Sequence, residues 1–297
     1  MKRKAFIRSL AIASAGAASL SLRQLYGLLN EAPASHLMPA LFIGHGSPMN
    51  AIEDNPFTQH LKQLGAQFTG DCTPKAFLVV SAHWLTRGTW ACGTAKPETI
   101  YDFGGFPDAL YQVKYNAPGS PELASGIHSL AGAVQTTDEW GLDHGAWTIM
   151  KHIRPAADIP VFQLSIDVGM TMQQHFELGK ALRKLREKGV VVVGSGNVVH
   201  NLQKAFENMG RKEPAPAYEW ASGFDQFVKE SILAEDHFSL VNYSKKDPGA
   251  ANLSVPTTDH FIPLLYAAGL RLPGEHAQFT YEGMEYGALS MRCVQFG

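Results

Sequence analysis

Four short apolar runs stand out along the chain: Ala40–Ile43, Ala76–Ser81, Val161–Ile166 and Val190–Val193. They are continuous rather than alternating, and rich in β-branched and aromatic side chains. That pattern predicts strands buried on both faces, as in a parallel sheet covered by helices. Each run stops at turn-forming or polar residues: Gly44-His45-Gly46, Ala82-His83-Trp84, Asp167 and Gly194-Ser195-Gly196. Between the third and fourth, Met172–Lys188 carries Phe176, Leu178, Leu182 and Leu185 at helical spacing, and Gly189 follows as a stop. One amphipathic helix is therefore expected there. Strand, helix and strand in this order imply an α/β fold, a single domain with a largely parallel, helix-covered central sheet. Leu289–Phe296 reads as a final strand, and the KEPAPAY stretch from position 212 to 218 as a surface loop.

In open α/β sheets, ligands collect beyond the carboxyl ends of the strands. Several of the chain's 12 histidines fall at such places. His45 sits between two glycines after ALFIG, His83 follows AFLVVSA, and His200 follows VVVVGSGNV. His144 lies in Asp143-His144-Gly145, where the adjacent carboxylate could orient its ring. His260 follows Thr258 and Asp259, candidate N-caps of a helix with Pro263 in its first turn. One strand-end histidine is more often structural than functional. Several on one sheet point to a shared site at the carboxyl ends of the strands, and imidazole suits iron, zinc, copper or nickel. The other seven histidines, including His152 and His175, read as ordinary surface or capping residues.

Composition narrows the alternatives. With 297 residues and 45% hydrophobic content, the chain can bury a large core. Twenty-five basic against 27 acidic side chains give a net charge of -2, so nothing points to nucleic acid. Three cysteines without a CxxC pair, Cys72, Cys92 and Cys293, indicate neither a disulfide framework nor a cysteine zinc site. No segment has the roughly 18 uninterrupted apolar residues of a membrane span. Residues 1–37 stand apart as an N-terminal extension. MKRKAFIR, the apolar run that follows and Ala32-Pro33-Ala34 read as an export signal, twin-arginine-like with lysine in the second basic place. Periplasmic export is the expectation, a cytoplasmic protein with a mobile extension the alternative.

Taken together, GHGSPMN at Gly44–Asn50, SAHW at Ser81–Trp84, DFGGFP at Asp102–Pro107 and DHGAW at Asp143–Trp147 resemble the 4,5-DOPA extradiol dioxygenase family. QLSID at Gln163–Asp167, GNVVHNL at Gly196–Leu202 and the Asp259-His260 segment extend the likeness across residues 38–297. The family belongs to the class III extradiol, protocatechuate 4,5-dioxygenase-like superfamily. The resemblance implies a catalytic domain over residues 38–297 that opens a catechol ring with O2 and non-haem Fe(II). It implies metal ligation by His45, His83 and His260, with His200 as the catalytic base and a fourth ligand when substrate is absent. His144 takes the place of a proton donor. Three histidines also suit zinc, so a zinc hydrolase on the same site is one competing reading, and a non-catalytic binding protein another. The Asp102–Pro107 loop, with Phe103 and Phe106, is either a wall of the ring pocket or a turn packed by aromatics. The natural catechol and the oligomeric state are not legible in the sequence.

Overall fold

The computed structural model describes residues 36–211 and 213–297. The expected export signal lies outside the described residues. The described residues from His36 to Gly297 belong to one compact unit.

Its centre is a sheet of eight strands in the order β4-β3-β5-β2-β6-β1-β10-β7. The strands are β1 (Ala40–Gly44), β2 (Ala76–Thr86), β3 (Thr89–Cys92), β4 (Val134–Thr137) and β5 (Val161–Asp167). They continue with β6 (Val190–Gly196), β7 (Ala277–Tyr281) and β10 (Cys293–Phe296). A small separate ladder pairs β8 (Met284–Glu285) with β9 (Leu289–Ser290). The four apolar runs of the sequence form the parallel centre β5-β2-β6-β1. Antiparallel pairs flank it, β3 with β5 on one side and β10 with β1 and β7 on the other.

Successive side chains of a strand point to opposite faces, and here both faces are dry. Phe42, Leu78, Val80 and Val192 pack beneath α3 (Met172–Ala181), α4 (Glu219–Leu233) and α5 (Ile262–Leu270). Leu41, Ile43, Phe77, Val79 and Val193 pack beneath α1 (Pro56–Ala66) and α2 (His144–Ile153). Two-sided burial is the reason the central strands read as unbroken apolar runs. Among the described residues, no helix is long and apolar enough to cross a membrane. The three cysteines are free thiols.

Several sequence expectations need correction. The helix expected over Met172–Lys188 breaks after Ala181 and resumes as one short turn, Lys184–Glu187. The tighter path brings Arg186 inward, where it is fully buried. Its guanidinium donates to the Met38 and Leu270 carbonyls at 2.6 and 2.8 Å and bidentately to Glu275. The tail is two strands, not one. It is interrupted at Met291 and Arg292, where Met291 N–H turns away to donate to the Gly283 carbonyl. His152 and His175 are buried rather than on the surface. His152 Nε2 donates to the Asn50 carbonyl at 2.7 Å, and His175 Nδ1 lies 3.2 Å from the Tyr266 hydroxyl.

Candidate metal centre

The chain folds so that two parallel ladders end side by side: β1 with β6 at Gly44 opposite Gly196, and β2 with β6 at Ser81 opposite Ser195. His45 follows β1 directly. His83 was expected beyond its strand but lies inside β2, which runs on to Thr86. Pairing of β2 with β5 is irregular between Val80 and Leu85. Such an irregularity re-aims a side chain, and the His83 ring stands beside that of His45, with centroids 5.0 Å apart.

His260 arrives from the other side. It precedes α5 by two residues and is not held by an N-cap: Phe261 occupies that position and makes no side-chain cap. Asp259 instead accepts a very short hydrogen bond from the His260 ring at Nδ1. The segment can approach because Gly196 presents bare backbone. A Cβ there would sit 2.2 Å from the His260 carbonyl oxygen. The neighbouring Asn197 N–H donates to that same carbonyl at 2.8 Å.

The three rings converge. One donor atom from each of His45, His83 and His260 lies within 4.8 Å of the other two. His45 Nε2 and His83 Nε2 are 3.1 Å apart. Two nitrogens each about 2.1 Å from one ion and set 90–109° apart would stand about 3.0–3.4 Å from each other. His260 Nε2 is buried without a hydrogen-bond partner. Burial of an unpaired polar atom is costly, and a cation on that lone pair removes the cost. The donor set therefore fits a metal. Burial, then the charge of the neighbouring rings, lowers the pKa of His45 and His260 well below the ordinary value. Burial pulls His83 down to about 3, with the charge of His144 adding to it. The rings are thus neutral at physiological pH, the form that binds a metal.

His200 stands beside this group. Its ring stacks flat on that of His260, with centroids 3.5 Å apart and planes 6° from parallel. Burial holds it neutral, at about 4. His144 opens α2, and its ring lies 3.8 Å from that of His83.

The carboxylate that orients His144 is not its neighbour. Asp143 turns away to cap α2 through Ala146 N–H and accepts from Ser81 and Gln163, both at 2.7 Å. Asp102, from the DFGGFP loop, accepts from His144 twice, from the ring Nδ1 and from the backbone N–H, each at 2.9 Å. Its Oδ2 is also 3.5 Å from His83 Nδ1. Burial opposes ionisation of Asp102, but the hydrogen bond and charge of His144 hold its pKa below the usual value. Gly145 is obligatory in this corner: a Cβ would meet Ser81 Oγ at 2.5 Å and His83 Cδ2 at 2.9 Å. The Asp102–Pro107 loop is a turn packed by aromatics. Phe103 packs against the core beneath α1 and α2 and also meets His144 edge-on, with centroids 5.5 Å apart. Phe106 packs on Phe103.

Comparison with known proteins bears on what such a centre is for. The family described as the catalytic LigB subunit of aromatic ring-opening dioxygenase matches residues 35–292. The chain belongs to this family. It is 45% identical over 271 residues to the 4,5-DOPA dioxygenase extradiol of Escherichia coli K12, covering 89% of this chain and 96% of that one. A beet (Beta vulgaris) protein of the same name is 35% identical over 266 residues, covering 88% and 97%. The crystal structure of uncharacterized protein JW3007 from Escherichia coli K12 superimposes with a TM-score of 0.74 at 42% identity, over 88% of this chain and all of that one. Family membership and the three-histidine cluster together identify a metal-dependent, ring-cleaving dioxygenase.

Asp102, Asp259, Ser195 and Gln163 were not singled out by sequence reasoning as parts of the site. Asp102, Gln163 and Asp259 lie inside family-like motifs, which was the available signal. The contacts of Asp102, Gln163 and Ser195 are made only by the fold, whereas Asp259 meets its neighbour His260.

Proposed function

We propose that this chain cleaves the ring of a catechol beside its two hydroxyls, with Fe(II) at His45, His83 and His260 as the working metal. The observation that carries this reading is the unpartnered, buried Nε2 of His260 facing the His45 and His83 donors. Bound there, the cation would supply Lewis acidity toward the diol and the redox chemistry that O2 requires.

The surrounding residues divide the remaining work. His200, neutral and stacked on His260, accepts the proton released from a catechol hydroxyl. His144 carries its Nδ1 proton on Asp102, so its Nε2 is the atom that delivers or receives a proton during ring opening. Asp102 holds the His144 ring in that tautomer and stabilises it when it becomes cationic. Phe103 offers an aromatic wall next to His144 and excludes water from the reacting ring. Because relatives are named for 4,5-DOPA, DOPA is the first catechol to test.

The experiment is a panel of catechols offered to anaerobically Fe(II)-loaded protein, with oxygen uptake and visible absorbance followed together. One O2 consumed per yellow semialdehyde formed supports the reading. Turnover of ester or amide substrates by the zinc-loaded protein without O2, and none of any catechol, would replace it with a hydrolase.

A further inference from the structure

Ser195 is fully buried at the end of β6, in register with Ile43 of β1 and Ser81 of β2. Its Oγ stands 2.6 Å from the Gly145 carbonyl oxygen and 3.0 Å from His45 Nδ1. A hydroxyl has one proton to give, and a carbonyl oxygen can only accept. At 2.6 Å the Ser195 proton is committed to Gly145. Toward His45, Oγ is then an acceptor, so Nδ1 must carry the proton. A neutral imidazole has only one, which leaves Nε2 bare. That bare nitrogen is the one 3.1 Å from His83 Nε2.

We infer that Ser195 is a positioning residue that sets the tautomer of His45 and thereby aims its free lone pair at the metal. The inference rests on the proposed three-histidine site. Among the ligands, His260 receives the same service from a carboxylate, Asp259. For His45 the partner is a hydroxyl whose direction is fixed by a backbone carbonyl in the first turn of α2. The same bond ties a metal ligand to the helix that begins with His144. Without Oγ, His45 Nδ1 loses its acceptor. The alternative tautomer, protonated at Nε2 and unable to take a metal, is no longer disfavoured.

The test uses metal-free full-length protein labelled with ¹⁵N-histidine. Long-range ¹H–¹⁵N correlation reads which nitrogen of His45 is protonated, and competition against a chelator reads Zn(II) affinity. Wild-type protein should show His45 protonated at Nδ1. Ser195→Ala should show a mixture of tautomers and bind Zn(II) about 10- to 100-fold more weakly. A wild-type His45 protonated at Nε2 would overturn the inference without any variant being made. So would a Ser195→Ala protein with unchanged tautomer and affinity. Both readouts are independent of turnover, so a protein that behaves as expected here yet leaves every catechol intact would fault the substrate reading and leave the role of Ser195 standing.

Discussion

Replacing Asp102 with Asn isolates what a single carboxylate contributes to proton transfer. Asn keeps the shape and can still accept from the His144 backbone N–H through one oxygen, but it loses the charge facing Nδ1. At 2.9 Å, an effective dielectric of about 20 gives a Coulomb ceiling of about 6 kcal/mol for carboxylate against imidazolium. Desolvation of the partly buried pair offsets much of this, and hydrogen bonds to charged groups contribute about 1.5–3 kcal/mol net. If that stabilisation is realised when His144 carries its extra proton, kcat should fall about 10- to 150-fold. Metal content should change little, because the carboxylate approaches the three-histidine cluster only at His83 Nδ1, the nitrogen turned away from the proposed ion, and at 3.5 Å that is beyond a good hydrogen bond. Steady-state oxygen uptake alongside metal analysis separates the two effects. A variant with kcat within twofold of wild type would refute the pairing of Asp102 with His144. One that loses its metal would assign Asp102 to the cation instead.

Other perturbations probe the rest of the site and the fold. His200→Ala should keep most of its metal while turnover drops about 10²- to 10⁴-fold, and unchanged turnover in the same assay would remove His200 as the base. Gly196→Ala places a Cβ 2.2 Å from the His260 carbonyl. It should cost about 1–3 kcal/mol in urea unfolding and lower metal occupancy, whereas wild-type values would mean the His260 segment is free to withdraw. His175, whose ring faces Tyr266, gives a stability prediction: burial lowers its pKa to about 4. Below about pH 6.5 the unfolded chain binds a proton that the native protein refuses, so stability falls as pH drops from about 6.5 to about 4, by up to about 3 kcal/mol. His175→Gln should flatten that part of the unfolding-free-energy curve, and an unaltered slope would mean His175 ionises normally.

The parallel centre of the sheet was legible because burial on both faces leaves an unmistakable trace in composition: β1, β2, β5 and β6 all begin at the expected residues. Local signals carried less where long-range contacts decide the outcome. Helical periodicity runs smoothly from Met172 to Lys188, yet the helix breaks because Arg186 must reach groups distant in sequence, the Met38 and Phe296 carbonyls among them. Asp143 seemed the natural partner of His144 by adjacency, but a residue at an N-cap faces the helix backbone. The partner comes from 42 residues away. Ser195 and Gly196 read as turn residues from sequence. Only their register against β1 and β2, and the approach of His260, gives them their chemistry. Motif resemblance brought His45, His83, His144, His200 and His260 to one place, and the structure assembles them there.

Whether His45, His83 and His260 share one ion decides the rest. Anomalous diffraction from crystals of the zinc- or iron-loaded protein tests it directly. A shared ion gives a single strong peak with the Nε2 atoms of all three rings around it, at about 2.1 Å for zinc. A metal held by His83, Asp102 and His144 instead, the other cluster of donors on this face, would contradict it.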